Sequence, residues 1–336
     1  MSAAAVKLSP AWLPSRQKWP LIATFCVLVV MYAAACWKYK GFFTAQVALN
    51  LLGDNAFLGI AAVGMTFVIL SGGIDLSVGT AIGCTTVFIA SMVENHHWHP
   101  ALAIAAALTG GTLVGLVQGL LIAAFRLQPF LVTLGGLFLY RGLALLISQE
   151  SISLTHDLYV RMSNYHLALA KDAEGRDVEV SLSALLFLAV LAVATYVAAW
   201  RPAGRAVYAV GGNEQSALLM GLPVARTKVA VYAASGFCAA LAGVVATIFT
   251  SSGAALTGAG LELDAIAAVV IGGTLLSGGV GSPIGTLLGV LILGIIQTAI
   301  NFQGDLSSWW ARIVVGLLLL AFILLQSLLQ PRENHA

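Results

Sequence analysis

One apolar stretch of the chain ends in a carboxylate beside a glycine pair, in residues 71–79 (SGGIDLSVG). A charge is expensive at membrane depth, and adjacent glycines allow a helix to break. Broken backbone inside a bilayer is tolerated only where it lines a cavity or is buried in protein. Asp75 and the neighbouring glycines therefore predict a bundle of helices with an interior, rather than an isolated anchor.

The same pattern occurs again at an offset of 206 residues (277 minus 71), in residues 276–281 (LSGGVG). Residues 56–80 and 262–286 share ten identities at this offset. Paired glycine-interrupted segments are typical of transporters built from internal repeats, although small residues also recur by convergence in packed bundles. We expect two hinges, formed by Gly72, Gly73, Gly278 and Gly279.

Composition indicates a polytopic membrane protein. The chain is 60% hydrophobic and 9% charged, with a mean hydropathy of +0.95, whereas about 25% charged residues is usual for soluble domains. The net charge of +2 is too small to indicate nucleic-acid binding. The four cysteines lie in apolar runs without paired spacing, so they predict core residues.

Cutting the sequence at polar and Pro/Gly-marked breaks predicts an all-α fold with about ten transmembrane helices. The expected spans are 19–36, 46–71, 74–93, 101–125, 130–148, 181–200, 229–250, 263–280, 283–301 and 309–329. On this count the two repeats cross in the same direction.

The distribution of Lys and Arg predicts the orientation. With the N-terminus inside, nine of these residues lie in inner segments and five in outer ones. The prediction is a cytoplasmic tail (1–18), a transmembrane domain (19–329) with an outer loop (149–180), and a second cytoplasmic tail (330–336).

The longest inner connection, 205–228, predicts a short capped helix. Asn213 suits the N-cap, Glu214 suits the positive end of the helix dipole, and Gly221 followed by Pro223 ends the helix. Such a helix can be bound by a partner protein, and it can equally lie on the lipid headgroups.

Polar residues at membrane depth are candidates for a translocation path. The structural alternative for Asp75 is the N-cap of the following helix, and for Arg141 an ion pair with a buried carboxylate. His96, His97 and His99 lack the accompanying ligands of a metal site, so no metal is predicted. The path candidates are Asp54, Asn55, Asp75, Arg141, Glu262 and Asp264.

Three segments resemble the ribose-type permeases of bacterial ABC sugar importers: 64–79 (GMTFVILSGGIDLSVG), 140–144 (YRGLA) and 208–213 (YAVGGN). More narrowly, 54–60 (DNAFLGI), 275–281 (LLSGGVG) and 301–310 (NFQGDLSSWW) are similar to one of the two paralogous permeases of the galactofuranose importer.

The resemblance implies an importer of the bacterial inner membrane, with a paralogous permease, a cytoplasmic ABC ATPase and a periplasmic sugar-binding protein as partners. The chain has no phosphate-binding Gly-x-x-x-x-Gly-Lys motif, so ATP and Mg²⁺ are expected on the ATPase, and no cofactor or enzymatic activity is expected here. The resemblance assigns ATPase coupling to Gly211, Gly212, Asn213, Glu214 and Gly221.

A secondary sugar transporter is the alternative. In that case Asp75, Glu262 and Asp264 would be the carboxylates that couple transport to protons or sodium.

Overall fold

A computed structural model describes residues 19–171, 177–304 and 309–329. The predicted terminal tails, the centre of the outer loop and residues 305–308 of one family-like segment lie outside these ranges.

The described ranges contain fourteen α-helices. They are α1 (Trp19–Lys38), α2 (Ala45–Asp54), α3 (Ala56–Leu70), α4 (Val78–Ala90), α5 (Pro100–Phe125), α6 (Pro129–Ile147), α7 (Asp157–Ser163), α8 (Leu182–Trp200), α9 (Pro202–Gly212), α10 (Glu214–Leu219), α11 (Val224–Thr250), α12 (Leu261–Ile271), α13 (Pro283–Gln303) and α14 (Trp309–Leu329). A π-helical turn, Ser91–Asn95, extends α4.

The membrane fold expected from the sequence is confirmed, with one qualification on the number of spans. Seven helices in the described ranges are long and apolar enough to cross a membrane, and eight if α2 and α3, bent by 58° at Asn55, form one span. The expected span 263–280 is wrong as a continuous helix, because α12 ends at Ile271. Gly272 and Gly273 follow it, and Gly273 has a φ of +90°.

The strands lie in the connections between helices. β1 (Ile152–Ser153) pairs antiparallel with β4 (Ser252–Gly253), and β2 (His166–Lys171) pairs with β3 (Asp177–Ser181). The expected outer loop therefore contains a β-hairpin and α7 rather than irregular chain alone. We call the end of the bundle that carries these elements the hairpin face.

The opposite end carries α9 and α10, and we call it the connecting face. α8 runs from β3 at the hairpin face to α9, with Arg201 as the only residue between α8 and α9. α3 runs in the same direction, since Gly53 lies against the Ser181 side chain and Leu70 lies against Gly211. α4 returns to the hairpin face, where Glu94 accepts hydrogen bonds from Thr155.

The core is built from α3, α4, α5 and α11, which pack closely because their facing residues are small. A Cβ atom at Gly111 would lie 2.8 Å from the carbonyl oxygen of Gly236, and one at Gly236 would collide with the carbonyl oxygen of Gly111. Small residues allow such backbone approach and are typical of helix contacts in membranes. This packing fixes the two glycine breaks relative to the connecting face.

Candidate functional site

The predicted capped helix of the connecting face is present as α10. The Asn213 Oδ1 atom accepts a hydrogen bond from the Ser216 backbone N–H at 2.8 Å, and Gly221, at a φ of +77°, follows the end of the helix. The sequence reasoning missed α9, which begins with Pro202 at its first turn. Proline at this position was the available signal, because its missing N–H costs nothing there.

The end of α10 presents apolar side chains to the exterior. The exposed fractions of Leu218, Leu219 and Met220 are 62%, 89% and 69%. The Lys228 Nζ atom lies 2.7 Å from Glu214 Oε1 and ties α10 to the start of α11. The connecting face therefore carries an exposed apolar tip on a braced, capped helix.

The structure brings the predicted coupling and hinge glycines together. The backbone N–H of Gly279 donates to the carbonyl oxygen of Leu70 at 2.9 Å. A Cβ atom at Gly211 would collide with that same carbonyl oxygen and lie 2.7 Å from the Gly279 nitrogen. A Cβ at Gly278 would lie 3.0 Å from the Gly72 nitrogen. We call this contact of α9 with both glycine breaks the glycine junction.

Three glycines of the junction also need their backbone freedom. The φ angles of Gly72, Gly278 and Gly279 are +83°, +87° and +74°, a region that other residues rarely adopt. Gly73 differs, because its place is set by packing: a Cβ there would collide with the Tyr232 hydroxyl. The breaks thus lie beside the connecting face, and not midway through the bundle as a central hinge would require.

Tyr208 adds a side-chain contact to the junction, which the sequence reasoning did not identify. Its hydroxyl donates to the carbonyl oxygen of Gly281 at 2.9 Å. Burial raises the pKa of Tyr208 above its ordinary value of 10.0, so the phenol keeps its proton at neutral pH. Beside it lies a cavity of about 260 Å³ lined by Leu21, Tyr208, Gly272, Gly273, Gly279, Val280, Gly281 and Ser282.

Asp75 is 1% exposed and its carboxylate is fully engaged. Its Oδ1 accepts from the Ser77 backbone N–H at 2.9 Å and from the Ser77 hydroxyl at 2.6 Å, and its Oδ2 accepts from the Ser235 hydroxyl at 2.7 Å. The N-cap of α4 is Ser77, so the N-cap interpretation of Asp75 is wrong. The carboxylate joins the start of α4 to α11.

Within the described residues Arg141 contacts backbone and not a carboxylate, so its interpretation as an ion-pair partner of one of the buried carboxylates named above is wrong. Its Nη1 donates to the carbonyl oxygen of Ala255 at 2.8 Å. Ala255 belongs to residues 254–260, a segment without helix or strand that runs along α4. A Cβ at Gly83 would lie 2.6 Å from the carbonyl oxygens of Ala255 and Thr257. Arg141 thus supplies a donor to backbone that has no regular partner.

Glu262 and Asp264 lie in the first turn of α12, which follows this segment. The Glu262 Oε2 atom is buried beside Gly79 and has no hydrogen-bond partner within the described ranges. Asp264 interacts electrostatically with Arg312 of α14, whose guanidinium lies near Gly260.

Asp54 and Asn55 lie at the bend between α2 and α3. The Asn55 Nδ2 donates to the carbonyl oxygen of Leu51 at 2.9 Å. Asp54 is exposed at the hairpin face and lines a cavity of about 280 Å³.

The six path candidates therefore do not form one cluster. Across the described parts of the chain, no group of three or more His, Cys, Asp or Glu side chains is arranged to hold a metal ion. The arrangement that unites the sequence predictions is instead the glycine junction, which connects the exposed α10 tip, through α9, to both repeats.

Residues 47–323 match a family described as "Branched-chain amino acid transport system / permease component". The chain is 49% identical to the inner membrane ABC transporter permease protein YjfF of Escherichia coli over 91% of both chains. It is 37% identical to the ribose import permease protein RbsC of Haemophilus influenzae, over 92% of this chain and 94% of that one.

The chain belongs to the ribose-type family of ABC permeases. A further relative of this permease is the fructose import permease protein FruG of Bifidobacterium longum, 36% identical over 93% of this chain and 91% of that one. No solved structure matches the permease at a significant level. The family expected from the sequence is thus confirmed, and the glycine junction is a feature of a membrane permease.

Proposed function

We propose that this permease is the transmembrane subunit of an ATP-driven ABC importer that moves a monosaccharide from the periplasm to the cytoplasm. Membership of the family and relatives named for ribose and fructose import support a sugar substrate. Galactofuranose is the substrate favoured by the motif resemblance in residues 54–60, 275–281 and 301–310.

The single observation that carries the proposal is the glycine junction. A partner ATPase that grips the apolar tip Leu218–Met220 would move α10 and α9 together, because one residue separates these helices. Gly211 of α9 contacts the backbone of both breaks, so the motion reaches α3 and the segment before α13 at one point. This is a short mechanical route from a cytoplasmic motor to both repeats.

The proposed orientation places the connecting face in the cytoplasm and the hairpin face in the periplasm, with both termini cytoplasmic. It rests on the excess of Lys and Arg in the segments of the connecting side, which include Arg201, Arg205, Arg226 and Lys228. The proposed partners are a paralogous permease, the ATPase that binds ATP and Mg²⁺, a periplasmic sugar-binding protein and the lipid of the inner membrane.

The test is co-purification of the permease with the ATPase and binding protein encoded beside it, followed by ATP hydrolysis and uptake in proteoliposomes. Binding protein loaded with galactofuranose is expected to stimulate hydrolysis and uptake. Uptake that persists without ATP and collapses with an uncoupler contradicts the proposal and identifies an ion-coupled transporter. Co-expression with and without the paralogous permease tests the heterodimer, since assembly of this chain alone into an active importer contradicts it.

A further inference from the structure

Six of the eleven residues that line the cavity of the hairpin face have polar side chains. The cavity lies between the ends of α2, α7, β3 and α11 and the starts of β2 and α8, and has a volume of about 280 Å³. Its lining consists of Asn50, Gly53, Asp54, Met162, Ser163, His166, Ser181, Leu182, Ser183, Ile248 and Phe249. We call it the hairpin-face pocket.

Two of these polar groups have free hydrogen-bonding capacity. The Asp54 carboxylate makes no hydrogen bond or ion pair within the described residues, so both of its oxygens are available as acceptors. Asn50 uses its Oδ1 to accept from the Gln46 amide at 2.8 Å, which leaves its NH₂ group as a donor. A hydrogen-bond acceptor and a hydrogen-bond donor in one pocket suit a ligand whose groups both donate and accept hydrogen bonds, as hydroxyl groups do.

The pocket also has an aromatic wall. Phe249 is 49% exposed, and its ring centroid lies 6.1 Å from that of Phe57. An exposed aromatic ring beside hydrogen-bonding groups suits a ligand with one apolar and several polar surfaces.

The walls of the pocket are held in place by the hairpin. The Gln46 amide donates to the Glu179 carbonyl oxygen at 3.1 Å and accepts from the Glu179 N–H at 2.9 Å, which fixes β3 against α2. Gly53 allows close approach, because a Cβ there would lie 2.6 Å from the Ser181 hydroxyl oxygen. The pocket is therefore a built feature of the hairpin face.

We propose that the hairpin-face pocket is a weak binding site for a free monosaccharide, in which Asp54 and Asn50 bind ring hydroxyls and Phe249 contacts the apolar face of the ring. Its volume lies just below the range of drug-sized pockets, which start near about 300 Å³, and so suits a single sugar ring. The inference rests on the proposed import of a monosaccharide and adds a site for the sugar on the permease itself. The cavity at the connecting face has no charged residue in its lining and is not assigned a ligand.

The test is saturation-transfer difference NMR on the purified full chain in nanodiscs, with galactose and ribose as probes and glycerol as a control polyol. Asp54→Asn and Phe249→Ala are expected to weaken sugar binding about three- to tenfold, the loss expected for one or two hydrogen bonds or a ring contact. The control variants are Asp157→Asn and Phe43→Ala, since both residues are exposed near the same face and neither lines the pocket.

Three outcomes overturn the inference: no sugar signal from the unaltered chain, equal signals from the unaltered chain and both pocket variants, or a glycerol signal as strong as that of galactose. Asp54→Asn preserves the shape of the side chain, so the test stands if Phe249→Ala fails to fold. ATP-driven uptake is measured separately, with the same variants reconstituted in proteoliposomes together with the ATPase and the binding protein. Sugar binding without ATP-driven uptake would contradict the proposed function but would not contradict the proposed sugar site in the hairpin-face pocket.

Discussion

The backbone N–H of Gly279 donates to the carbonyl oxygen of Leu70 at 2.9 Å, so the second glycine break is bonded to the helix that precedes the first. A Cβ atom at Gly211 would collide with the same carbonyl oxygen of Leu70, so α9 also packs directly against this contact. Two repeats and one connecting helix thus meet through main-chain atoms.

Gly211→Ala is expected to disconnect the ATPase from the membrane helices. The added methyl group has no room beside Leu70 O and Gly279 N, so α9 must shift away from both breaks. We expect the importer to assemble but to lose stimulation of ATP hydrolysis by loaded binding protein. Gly135→Ala in α6 is the control, because a Cβ there meets nothing within 4 Å and Gly135 lies outside the predicted coupling residues. Equal stimulation in the two variants would contradict a coupling role for the junction.

Asp75→Ala is expected to destabilise the bundle. The change leaves the buried hydroxyl of Ser235 without its acceptor, which costs about 1–3 kcal/mol for an unsatisfied group, and leaves the Ser77 hydroxyl only Gln118 Oε1, at 3.5 Å, as an acceptor. Thermal unfolding in detergent measures the effect as a lowered Tm. Ser235→Ala removes one donor and leaves the carboxylate two bonds to Ser77, so its effect should be smaller. A Tm unchanged by Asp75→Ala would show that the carboxylate does not join α4 to α11.

Asn213→Ala is expected to fray α10, because the Ser216 N–H loses its acceptor. Loss of an N-cap costs about 0.5–2 kcal/mol. The readout is the amount of ATPase retained on co-purification, which should fall, since the Leu218–Met220 tip is no longer held on a regular helix. Asn213→Ser keeps a capping oxygen and should retain the ATPase. Equal retention by the two variants would show that the cap is not needed for docking.

Tyr208→Phe is expected to loosen the segment that follows the second break. It removes the hydrogen bond to Gly281 O, worth about 0.5–1.5 kcal/mol. Because burial raises the folded-state pKa of Tyr208 above 10.0, this contribution is fully present below pH 10.0 and is lost as the pH rises through the higher folded-state pKa. The Tm difference between the two proteins should therefore be constant across neutral pH. A difference that changes around neutral pH would contradict this assignment.

Arg141→Met is expected to release residues 254–260 from α6, because Ala255 O loses its donor while the apolar stem is kept. Hydrogen exchange in this segment should become faster. Arg126→Met is the control, since Arg126 is exposed at the end of α5. Unchanged exchange in the Arg141 variant would show that other contacts hold the segment.

Much of this architecture follows from local sequence. Apolar length predicts α1, α5, α6, α8, α11 and α13 because a spanning helix needs about twenty apolar residues. The Asn213 cap was predictable because its signal lies within four residues. The identity of the two SGG segments indicated that they were related, but not that they touch.

The remaining features depend on contacts between distant parts of the chain. Arg141 bonds a carbonyl group 114 residues away, and no sequence pattern distinguishes this from an ion pair with a carboxylate. The end of α12 at Ile271 was missed because Leu275 and Leu276 continue the apolar run, and the break was assigned to the later glycine pair, Gly278 and Gly279. The hairpin-face pocket was missed because six separate elements line it.

The glycine junction is made almost entirely of main-chain atoms. Its composition determines which mutational screens can detect it. Alanine scanning measures the effect of truncating a side chain. The glycines of the junction have no side chain to truncate: Gly72, Gly211, Gly278 and Gly279. Only additions of bulk perturb such a contact. A screen that omits glycines would therefore detect the apolar tip and the hydrogen bonds of Tyr208 and Asp75. It would not detect the glycine junction, through which these groups are proposed to act together.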